Sequence, residues 1–364
     1  MNEPNNGWSR TVLVTGGAGF IGSNFLLDMV KRYPDYLFLN LDKLTYAGNL
    51  VNLKTIADCP NYTFIRGDIA DQGVVAGIFA DFRPDYVINF AAESHVDRSI
   101  VDPGVFVRTN VQGTANLLQI AAAFWLDSGA DWQNYKFVQV STDEVYGSLG
   151  STGFFTEATP LDPHSPYSAS KAGADLLVKA YYDTHNLPVN ITRCSNNYGP
   201  FQFPEKLIPL VIHNALQKQP LPVYGDGLNV RDWLYVSDHC QAIDRVLHQG
   251  RPGAIYNVGG HNERTNLELV KTIVGYLGTA VDPAISEDLI RFVPDRKGHD
   301  RRYGIDPSTI KRELGWFPET DFATGIIRTI RWYLDNPEWL ANVTSGAYQE
   351  YYRRMYEMNG PAEL

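Results

Sequence analysis

A glycine-rich segment between a short apolar strand and a helix constrains the fold of this chain more than any other feature. Directly after the predicted strand Thr11–Thr15 comes the run Gly16–Gly22, GGAGFIG, which opens the helical spacing of Gly22–Arg32. In this context glycines allow a tight turn and let the backbone approach a pyrophosphate at a helix N-terminus. A bare glycine pattern can also be an ordinary turn, so the neighbouring sequence decides between the two.

Short apolar strands alternate with helices through the first half of the chain. The predicted strands are Thr11–Thr15, Tyr36–Asp42, Tyr62–Ile65, Tyr86–Phe90, Phe137–Ser141 and Val189–Cys194, and the predicted helices are Gly22–Arg32, Val74–Asp81, Val105–Leu126 and Ser168–His185. This alternation predicts an α/β fold, a Rossmann-type doubly wound parallel sheet with helices on both faces.

The sequence also predicts two domains. Residues 1–200 are expected to form the NAD-binding domain, and the proline-rich connections that follow indicate a smaller C-terminal α/β substrate-binding lobe over 201–364. Ile255–Val258 has the apolar character of a core strand, so the segment at about 230–262 is expected to return to the first domain. A C-terminal helix is predicted from tyrosines at a spacing of four, namely Tyr348, Tyr352 and Tyr356.

Composition excludes several classes of function. A formal net charge of −10 over 364 residues argues against binding to nucleic acid or to an anionic membrane. The three cysteines, Cys59, Cys194 and Cys240, are dispersed, which argues against a disulfide framework and a zinc site, and no metal is expected. The polar Met1–Arg10 segment lacks a signal-peptide core, and no apolar run approaches the roughly 18–20 residues that span a bilayer, so a cytoplasmic location is predicted.

Asp42 supports the dinucleotide interpretation of the glycine run. It lies 20 residues past Gly22, at the end of the second predicted strand, where a carboxylate would accept both ribose hydroxyls. The same carboxylate would repel a 2′-phosphate, so NAD is favoured over NADP, although the adjacent Lys43 could soften that repulsion. Asp68 and Ile69 end the third strand, near the expected adenine position.

A hydroxyl followed by two acids ends the strand at Phe137–Ser141. Thr142 can donate a hydrogen bond to a substrate oxygen, while Asp143 and Glu144 supply two proton-transfer groups that need not point the same way. A solvated acidic pair or a helix cap is the alternative interpretation. The buried strand before the pair and the apolar residues after it make free solvation less plausible.

Tyr167 and Lys171 form a second candidate pair. At a spacing of four they fall on one helix face, where a nearby ammonium would lower the pKa of the phenol and make it a usable base. Such pairs also occur as surface decoration. Their position after an apparently complete dinucleotide fold favours catalysis, and two carboxyl groups beyond the usual hydroxyl, Tyr and Lys suggest that water removal follows oxidation.

The chain resembles the extended short-chain dehydrogenase/reductase superfamily and, within it, the dTDP-glucose 4,6-dehydratase family. The resemblance runs from about Val12 to the final helices and is carried by TGGAGFIGSN, LDKLTYAGN, RGDI, AAESHVDRSI, STDEVYG, YSASKA, RCSNNYGPFQFPEKLIP, VYGDGLNVRDWLYV and RKGHDRRYGID. The Thr-Asp-Glu triplet distinguishes this family from related 4-epimerases and decarboxylases. No catalytic position departs from the family pattern.

The resemblance implies three sets of site residues. The catalytic set is Thr142, Asp143, Glu144, Tyr167 and Lys171. The NAD-binding set is Gly16, Gly19, Phe20, Ile21, Gly22, Asp42, Lys43, Thr45, Asp68, Ile69, Ala91, Ala92, Ser94, Thr109, Tyr167, Lys171 and Asn197. The set for the dTDP-sugar substrate is Ser94, Thr142, Asn196, Lys206, Leu207, Tyr224, Arg231, Asn266, Arg296 and His299. Without the resemblance, strand-end loops, turn or helix caps and surface ion pairs are ordinary alternatives for many of these residues.

The resemblance also implies a mechanism and an assembly. Tyr167, aided by Thr142 and Lys171, takes the C4 hydroxyl proton while hydride moves to NAD. Glu144 then removes the C5 proton and Asp143 protonates the leaving C6 hydroxyl, before hydride returns to C6. NAD is regenerated in this cycle and should stay bound. The family pairs two long helices per subunit into a homodimer, and the apolar positions of Val105–Leu126 could supply that face or serve the core: Val107, Val111, Leu118 and Ala122.

Two competing functions remain from the sequence. A 4-epimerase or other sugar-nucleotide dehydrogenase of the same fold would have no use for Asp143 and Glu144. A catalytically silent NAD-binding scaffold would be expected to have lost Tyr167, Lys171 or the triplet, and all are present. The choice between dTDP and UDP is open, because a single methyl group could be worth only about 1–3 kcal/mol in a pocket.

Overall fold

The computed structural model describes residues 7–127 and 134–345. The predicted helix with Tyr348, Tyr352 and Tyr356 lies outside these residues. The strands of this part of the chain are β1 (Arg10–Thr15), β2 (Tyr36–Asp42), β3 (Tyr62–Arg66), β4 (Tyr86–Asn89), β5 (Lys136–Thr142), β6 (Val189–Cys194), β7 (Asn196–Tyr198), β8 (Leu221–Tyr224), β9 (Val230–Tyr235), β10 (Ile255–Val258), β11 (Glu263–Thr265) and β12 (Ile290–Val293).

Helices connect these strands and cover the sheets. The α-helices are α1 (Phe20–Arg32), α2 (Gln72–Phe82), α3 (Val96–Val101), α4 (Pro103–Phe106), α5 (Thr114–Asp127), α6 (Pro166–His185), α7 (Leu207–Leu216), α8 (Val236–Gln249), α9 (Asn266–Ala280), α10 (Ser308–Leu314), α11 (Phe322–Asp335) and α12 (Pro337–Val343). Shorter 3₁₀ helices are Leu50–Ile56, Asp143–Tyr146 and Glu287–Leu289, and a π-helix is Val107–Gly113. Among the described residues, no helix has the length and apolar character that crossing a membrane requires.

A seven-stranded parallel sheet in the order β10-β6-β5-β4-β1-β2-β3 forms the main layer. Its strands are apolar on both faces: Val12 and Val14 of β1 pack against α1 and α8, while Leu13 packs on the opposite side against α2, α5 and α6. The predicted α/β doubly wound fold is therefore confirmed. Because β1 pairs with both β2 and β4, the chain changes direction across the sheet there, and a crevice forms at the carboxyl ends of the strands.

The later part of the chain forms a second core. A sheet of β11-β9-β7 and the pair β12-β8 pack with α7, α9 and α11 around apolar side chains such as Trp233 and Phe322. Within the segment at about 230–262, β10 pairs with β6 in the main sheet, whereas β9 pairs with β7 and β11 instead. The division of the chain at residue 200 stays a prediction.

The predicted helix Val105–Leu126 differs from the structure in one respect. Its first part is the π-helix Val107–Gly113, in which the turn is widened. The buried Asn110 bonds to the backbone of Glu93 through both its amide atoms and donates to Ser170 at 2.8 Å. These long-range bonds join the widened turn to the end of β4 and to α6, which periodicity alone could not predict.

A polar cluster holds α8 against the amino-terminal edge of the main sheet. His248 Nδ1 lies 3.0 Å from Asp244 Oδ1, and the Tyr33 hydroxyl donates to the same carboxylate at 2.9 Å. Burial alone would lower the pKa of His248, but the hydrogen bonds and charge of Asp244 raise it overall. The pKa of Asp244 is lowered, because bonds from His248 and Tyr33 outweigh its burial.

We expect His248→Gln to destabilise the fold in a pH-dependent way. A histidine whose pKa is raised by folding stabilises the protein below its ordinary pKa of about 6.5, and this stabilisation disappears as pH rises through the folded pKa. The variant should lose about 1 kcal/mol of unfolding free energy at about pH 6 and less at about pH 9. Thermal unfolding measures both, with His185→Gln at the exposed end of α6 as the control. An equal loss at the two pH values would contradict this account.

Candidate functional site

A cavity of about 300 Å³ lies at the carboxyl ends of the main-sheet strands. All the residues predicted for the cofactor and for catalysis line it: Gly16, Gly19, Phe20, Ile21, Gly22, Asp42, Lys43, Thr45, Asp68, Ile69, Ala91, Ala92, Ser94, Thr109, Thr142, Asp143, Glu144, Tyr167, Lys171 and Asn197. The topology explains this convergence, because parallel strands bring the ends of β1, β4 and β5 to one edge of the sheet.

The glycine run packs too closely for side chains. Gly16 has a φ of +70°, and a Cβ there would lie 2.6 Å from the backbone nitrogen of Ala91. Gly19 is the N-cap of α1, so no side chain caps this end of the helix. The first turn of α1 holds no acidic residue. The backbone N–H groups at the start of α1 are therefore free of a competing carboxylate, which suits a pyrophosphate.

Asp42 braces the glycine run and faces the cavity. Its carboxylate accepts from the backbone nitrogens of Ala18 at 2.9 Å and Leu44 at 2.8 Å. Burial raises the pKa of Asp42, and these two hydrogen bonds oppose the shift. Each carboxylate oxygen keeps a lone pair for a ribose hydroxyl. The cradle for the pyrophosphate and this acceptor together fit a dinucleotide.

Lys43 forms an ion pair with an acid and is therefore not placed to neutralise a 2′-phosphate. Its Nζ lies 2.8 Å from Asp68 Oδ2, and Arg108 lies 3.8 Å from the same oxygen. Burial would raise the pKa of Asp68, but the hydrogen bond and charge of Lys43 lower it overall. Because Lys43 is paired with Asp68, it does not offset the repulsion between Asp42 and a 2′-phosphate. The structure therefore favours NAD over NADP.

The two acids of the triplet lie on a short 3₁₀ helix directly after β5. Thr142 caps this helix, since its hydroxyl accepts from the Glu144 nitrogen at 3.2 Å and donates to Asp143 Oδ1 at 3.3 Å. Both carboxyl groups line the cavity, and Glu144 also lines a second, adjoining cavity. The 3₁₀ helix that Thr142 caps thus brings both carboxyl groups to the same part of the cavity wall.

Their surroundings give the two acids different proton affinities. Asp143 is 1% exposed, and burial together with the charges of Glu144 and Asp232 raises its pKa well above the usual range. Burial also raises the pKa of Glu144, but the cations Lys206, Arg231 and Arg296 oppose it. Both pKa values are thus raised, but cations outnumber acids among the main charged neighbours only at Glu144, a difference that suits one acid and one base.

One electrostatic prediction is wrong for this structure. The pKa of Tyr167 is not lowered by Lys171 but raised well above its usual value, by burial and by the charges of Glu144 and Cys194. Lys171 points its ammonium at the Val140 carbonyl oxygen, 2.7 Å away, and burial lowers its own pKa. The spacing in the sequence correctly predicted that Tyr167 and Lys171 lie together, and both line the cavity. It could not reveal that the Lys171 ammonium bonds to the Val140 carbonyl oxygen.

The second cavity, of about 150 Å³, shares Glu144, Asn196 and Lys206 with the first. Of the predicted substrate residues, it is lined by Asn196, Lys206, Leu207, Arg231, Asn266, Arg296 and His299. Ser94 and Thr142 line the first cavity instead. Tyr224 lines neither, but its ring lies 4.7 Å from the Arg296 guanidinium.

The walls of the second cavity carry three cationic side chains beside three acidic ones, together with unsatisfied polar atoms. Arg231 donates to the carbonyl oxygens of Val230 and Asp300 at 2.8 and 3.0 Å, so these partners leave its charge unneutralised. Within the described residues, four buried atoms of side chains that line this cavity have no hydrogen-bond partner: Asn196 Oδ1, Gln202 Oε1, Asn266 Oδ1 and Trp233 Nε1. The cations suit an anionic group, whereas the unsatisfied amide oxygens can accept hydrogen bonds from ligand hydroxyls and the Trp233 N–H can donate one.

His299 contributes a neutral ring to this cavity. Burial and the nearby Arg296 and Arg231 lower its pKa to about 4, although Asp295 lies 2.6 Å from its Nδ1. Within residues 7–127 and 134–345, no group of three or more His, Cys, Asp or Glu side chains is placed to hold a metal ion.

Several lining residues were not predicted from the sequence. They include His95, Cys194, Gln202, Phe203, Glu205, Trp233, Asp300 and Tyr303. Glu205 stands beside the predicted Lys206, and Tyr303 lies in the RKGHDRRYGID stretch, so both were near a signal. None of them carries a local pattern of its own, because long-range folding alone brings it to the site.

Comparison with known proteins agrees with this geometry. The family model described as GDP-mannose 4,6 dehydratase matches residues 13–329. The dTDP-glucose 4,6-dehydratase of Neisseria meningitidis serogroup B is 51% identical over 93% of this chain and 98% of its own length.

Two solved structures show the same likeness. The dTDP-glucose 4,6-dehydratase of Bacillus anthracis, in complex with NAD, is 50% identical with a TM-score of 0.83, covering 92% of this chain and 100% of that one. The Streptomyces venezuelae enzyme, also with NAD, is 49% identical with a TM-score of 0.84, covering 92% and 99%. The chain belongs to the dTDP-glucose 4,6-dehydratase family of extended short-chain dehydrogenases/reductases.

Proposed function

We propose that this chain is a hydro-lyase that converts dTDP-glucose to dTDP-4-keto-6-deoxyglucose, with NAD as a tightly bound cofactor, in deoxysugar biosynthesis. The observation that carries the proposal is the pair Asp143 and Glu144. Both line the dinucleotide cavity that Tyr167 also lines, and cations oppose the effect of burial on the pKa of each: Arg231 at Asp143, and Lys206, Arg231 and Arg296 at Glu144. An enzyme that merely oxidises or epimerises an alcohol has no use for such a pair.

Each residue has a defined task in the reaction. Tyr167 accepts the C4 hydroxyl proton, with Thr142 donating a hydrogen bond to the same oxygen. NAD, when bound, supplies a hydride acceptor for C4 and a hydride donor for C6. Glu144 removes the C5 proton, which the new C4 carbonyl acidifies, and Asp143 protonates the C6 hydroxyl so that water leaves. Glu144 then returns a proton to C5.

The surroundings of the two carboxyl groups fit their tasks. Burial raises the pKa of Asp143 well above its usual range, which favours the protonated form that a general acid needs. Glu144 is kept closer to ionisation by Lys206, Arg231 and Arg296, which suits a general base. The same three cations provide local positive charge for a nucleoside diphosphate in a chain whose net charge is −10.

We further infer that a tyrosine helps to retain NAD. Tyr46 follows the cavity residue Thr45, and its hydroxyl donates to Glu205 at 2.9 Å. Its ring lies 5.7 Å from that of Phe203 and 3.7 Å from the Arg98 guanidinium. Tyr46 thereby links two cavity-lining segments that lie far apart in the sequence.

We also propose that the chain forms a homodimer through the surface of α3, the π-helix and α6. Val101, Val107 and Leu176 expose 75%, 55% and 59% of their surface there. Of the positions expected to supply this face, Leu118 and Ala122 are buried in the core instead, and Val111 is half-buried. The predicted cytoplasmic location stays a prediction.

The first test concerns the two acids. Incubation with dTDP-glucose, without added NAD, should give a product lighter by one water molecule. Asp143→Asn should slow water loss on the order of 100-fold or more and let a 4-keto sugar accumulate that is lighter than the substrate by two hydrogens and still holds its C6 hydroxyl, since the amide cannot act as an acid. Glu144→Gln should also stop exchange of the C5 hydrogen with solvent deuterium. Mass spectrometry of quenched reactions measures both.

The exposed Asp162→Asn is the matched control and should behave as the wild type. Unchanged turnover in Asp143→Asn and Glu144→Gln, with a product of altered stereochemistry and unchanged mass, would point to a 4-epimerase. A parallel reaction with UDP-glucose measures how strongly the enzyme discriminates between thymine and uracil in its substrate.

The second test concerns cofactor retention. Tyr46→Phe removes one hydrogen bond to Glu205 and should speed NAD release about fivefold, because one such bond contributes about 1 kcal/mol. The NAD content of protein after gel filtration and the rate of its release measure this. Tyr276→Phe, whose hydroxyl accepts from Arg331 outside both cavities, is the control. Equal retention by both variants would contradict the role of Tyr46.

The third test concerns assembly. Leu176→Glu places a charge on the proposed interface and should convert a dimer to a monomer in sedimentation analysis, because an unpaired buried charge is costly. Leu228→Glu is a matched control, since Leu228 is 45% exposed on the other lobe. A wild-type chain that sediments as a monomer would contradict the homodimer.

A further inference from the structure

The groups for oxidation and those for water removal lie on two separate elements. Tyr167 and Lys171 are in the first turns of α6, whereas Asp143 and Glu144 are on the 3₁₀ helix after β5. Both sets must act on the same sugar, and a misplacement of about 1 Å can cost about 100-fold in rate. Something must therefore fix the two elements relative to each other.

The buried Arg193 contacts both elements. It lies on β6, in register with Ser141, the residue before Thr142. Its Nε donates to Asp175 Oδ2 on α6 at 2.8 Å, and its Nη1 donates to the Tyr146 hydroxyl at 3.0 Å. One rigid, planar guanidinium thus joins α6 to the 3₁₀ helix.

Tyr146 fixes the acid–base end of this connection. It is two residues after Glu144 and is fully part of the same 3₁₀ helix. Its hydroxyl accepts from Arg193 and donates to Asn257 Oδ1 at 2.8 Å, so both its hydrogen-bonding directions are used. Its ring stacks on Phe155 with centroids 5.0 Å apart.

Asp175 fixes the oxidation end. It lies four residues after Lys171, one helical turn along α6, and both side chains are buried. The charge of Asp175 opposes the effect of burial on the pKa of Lys171. Loss of the Arg193 bond would leave this carboxylate free to turn toward the Lys171 ammonium.

Net stabilisation alone does not explain this arrangement. A buried ion pair is often no more stabilising than apolar side chains of similar volume, because desolvation offsets the attraction. The proposed chemical steps do not use Arg193, Asp175 or Tyr146 directly. Their directional bonds lie at the junction of the two catalytic elements, where geometry matters most.

We propose that Arg193 is a positioning residue that fixes the 3₁₀ helix of Asp143 and Glu144 relative to the α6 pair, Tyr167 and Lys171, so that water elimination follows oxidation on the same sugar. This inference rests on the proposed function. It predicts that loss of the hydrogen bond between Arg193 and the Tyr146 hydroxyl slows elimination more than it slows oxidation.

The test is Tyr146→Phe, which keeps the ring and removes only the hydroxyl. Elimination should slow about tenfold relative to C4 oxidation, so rapid-quench mass analysis should detect a keto sugar that retains its C6 hydroxyl. Exchange of the C5 hydrogen should slow as well, while the KM for dTDP-glucose stays near the wild-type value. Arg193→Lys keeps the charge beside Asp175 but cannot bridge both partners, so it should show the same separation of steps.

Tyr256→Phe is the matched control, because this buried tyrosine of β10 bonds to Glu313 and the Arg251 backbone instead. It should keep the wild-type ratio of oxidation to elimination even where its thermal unfolding temperature falls. A Tyr146→Phe variant with the wild-type ratio, beside a wild-type chain that dehydrates dTDP-glucose, would overturn the role of Arg193 alone. A wild-type chain that does not dehydrate dTDP-glucose would overturn the proposed function and this inference with it.

Discussion

The parallel register of the main sheet is the constraint on which the rest of the structure depends. Thr15 of β1 pairs with Asn89 of β4, and Thr142 of β5 pairs with Cys194 of β6. This register brings the glycine run, the end of β4 and the catalytic turn to one edge. A slip of one residue would turn every side chain of a strand to the opposite face and remove Thr142 from the cavity. The relative positions of the site residues therefore depend on strand pairing.

Burial then gives chemically similar groups different properties. Asp143 and Glu144 are adjacent in the sequence and both are buried, yet two acids and one cation act on the pKa of the first, while three cations and one acid act on the pKa of the second. Both positions belong to one short turn, so the difference comes from the surrounding lobe and not from the turn itself. An acidic chain thus places a small group of cations where an anionic substrate and a base both need them.

The sequence predicted those features that local patterns encode. Strand alternation, the glycine run and Asp42 gave the fold and the cofactor edge, and the resemblance located the catalytic triplet. Other features depend on contacts between distant segments. The π-helix depends on bonds from Asn110 to Glu93 and Ser170, and the raised pKa of Tyr167 depends on burial that no spacing reveals. The pairing of β9 with β7 and β11, away from the main sheet, likewise requires the folded chain.

The wall shared by the two cavities has a further consequence. Glu144, Asn196 and Lys206 border both, so on the proposed function a sugar nucleotide in the second cavity meets the dinucleotide of the first at these residues. A cofactor that is restored within each turnover and not exchanged isolates the reaction from the ratio of oxidised to reduced nicotinamide in the cell. On the proposed function, the flux through this enzyme then follows the supply of sugar nucleotide and not the metabolic redox state.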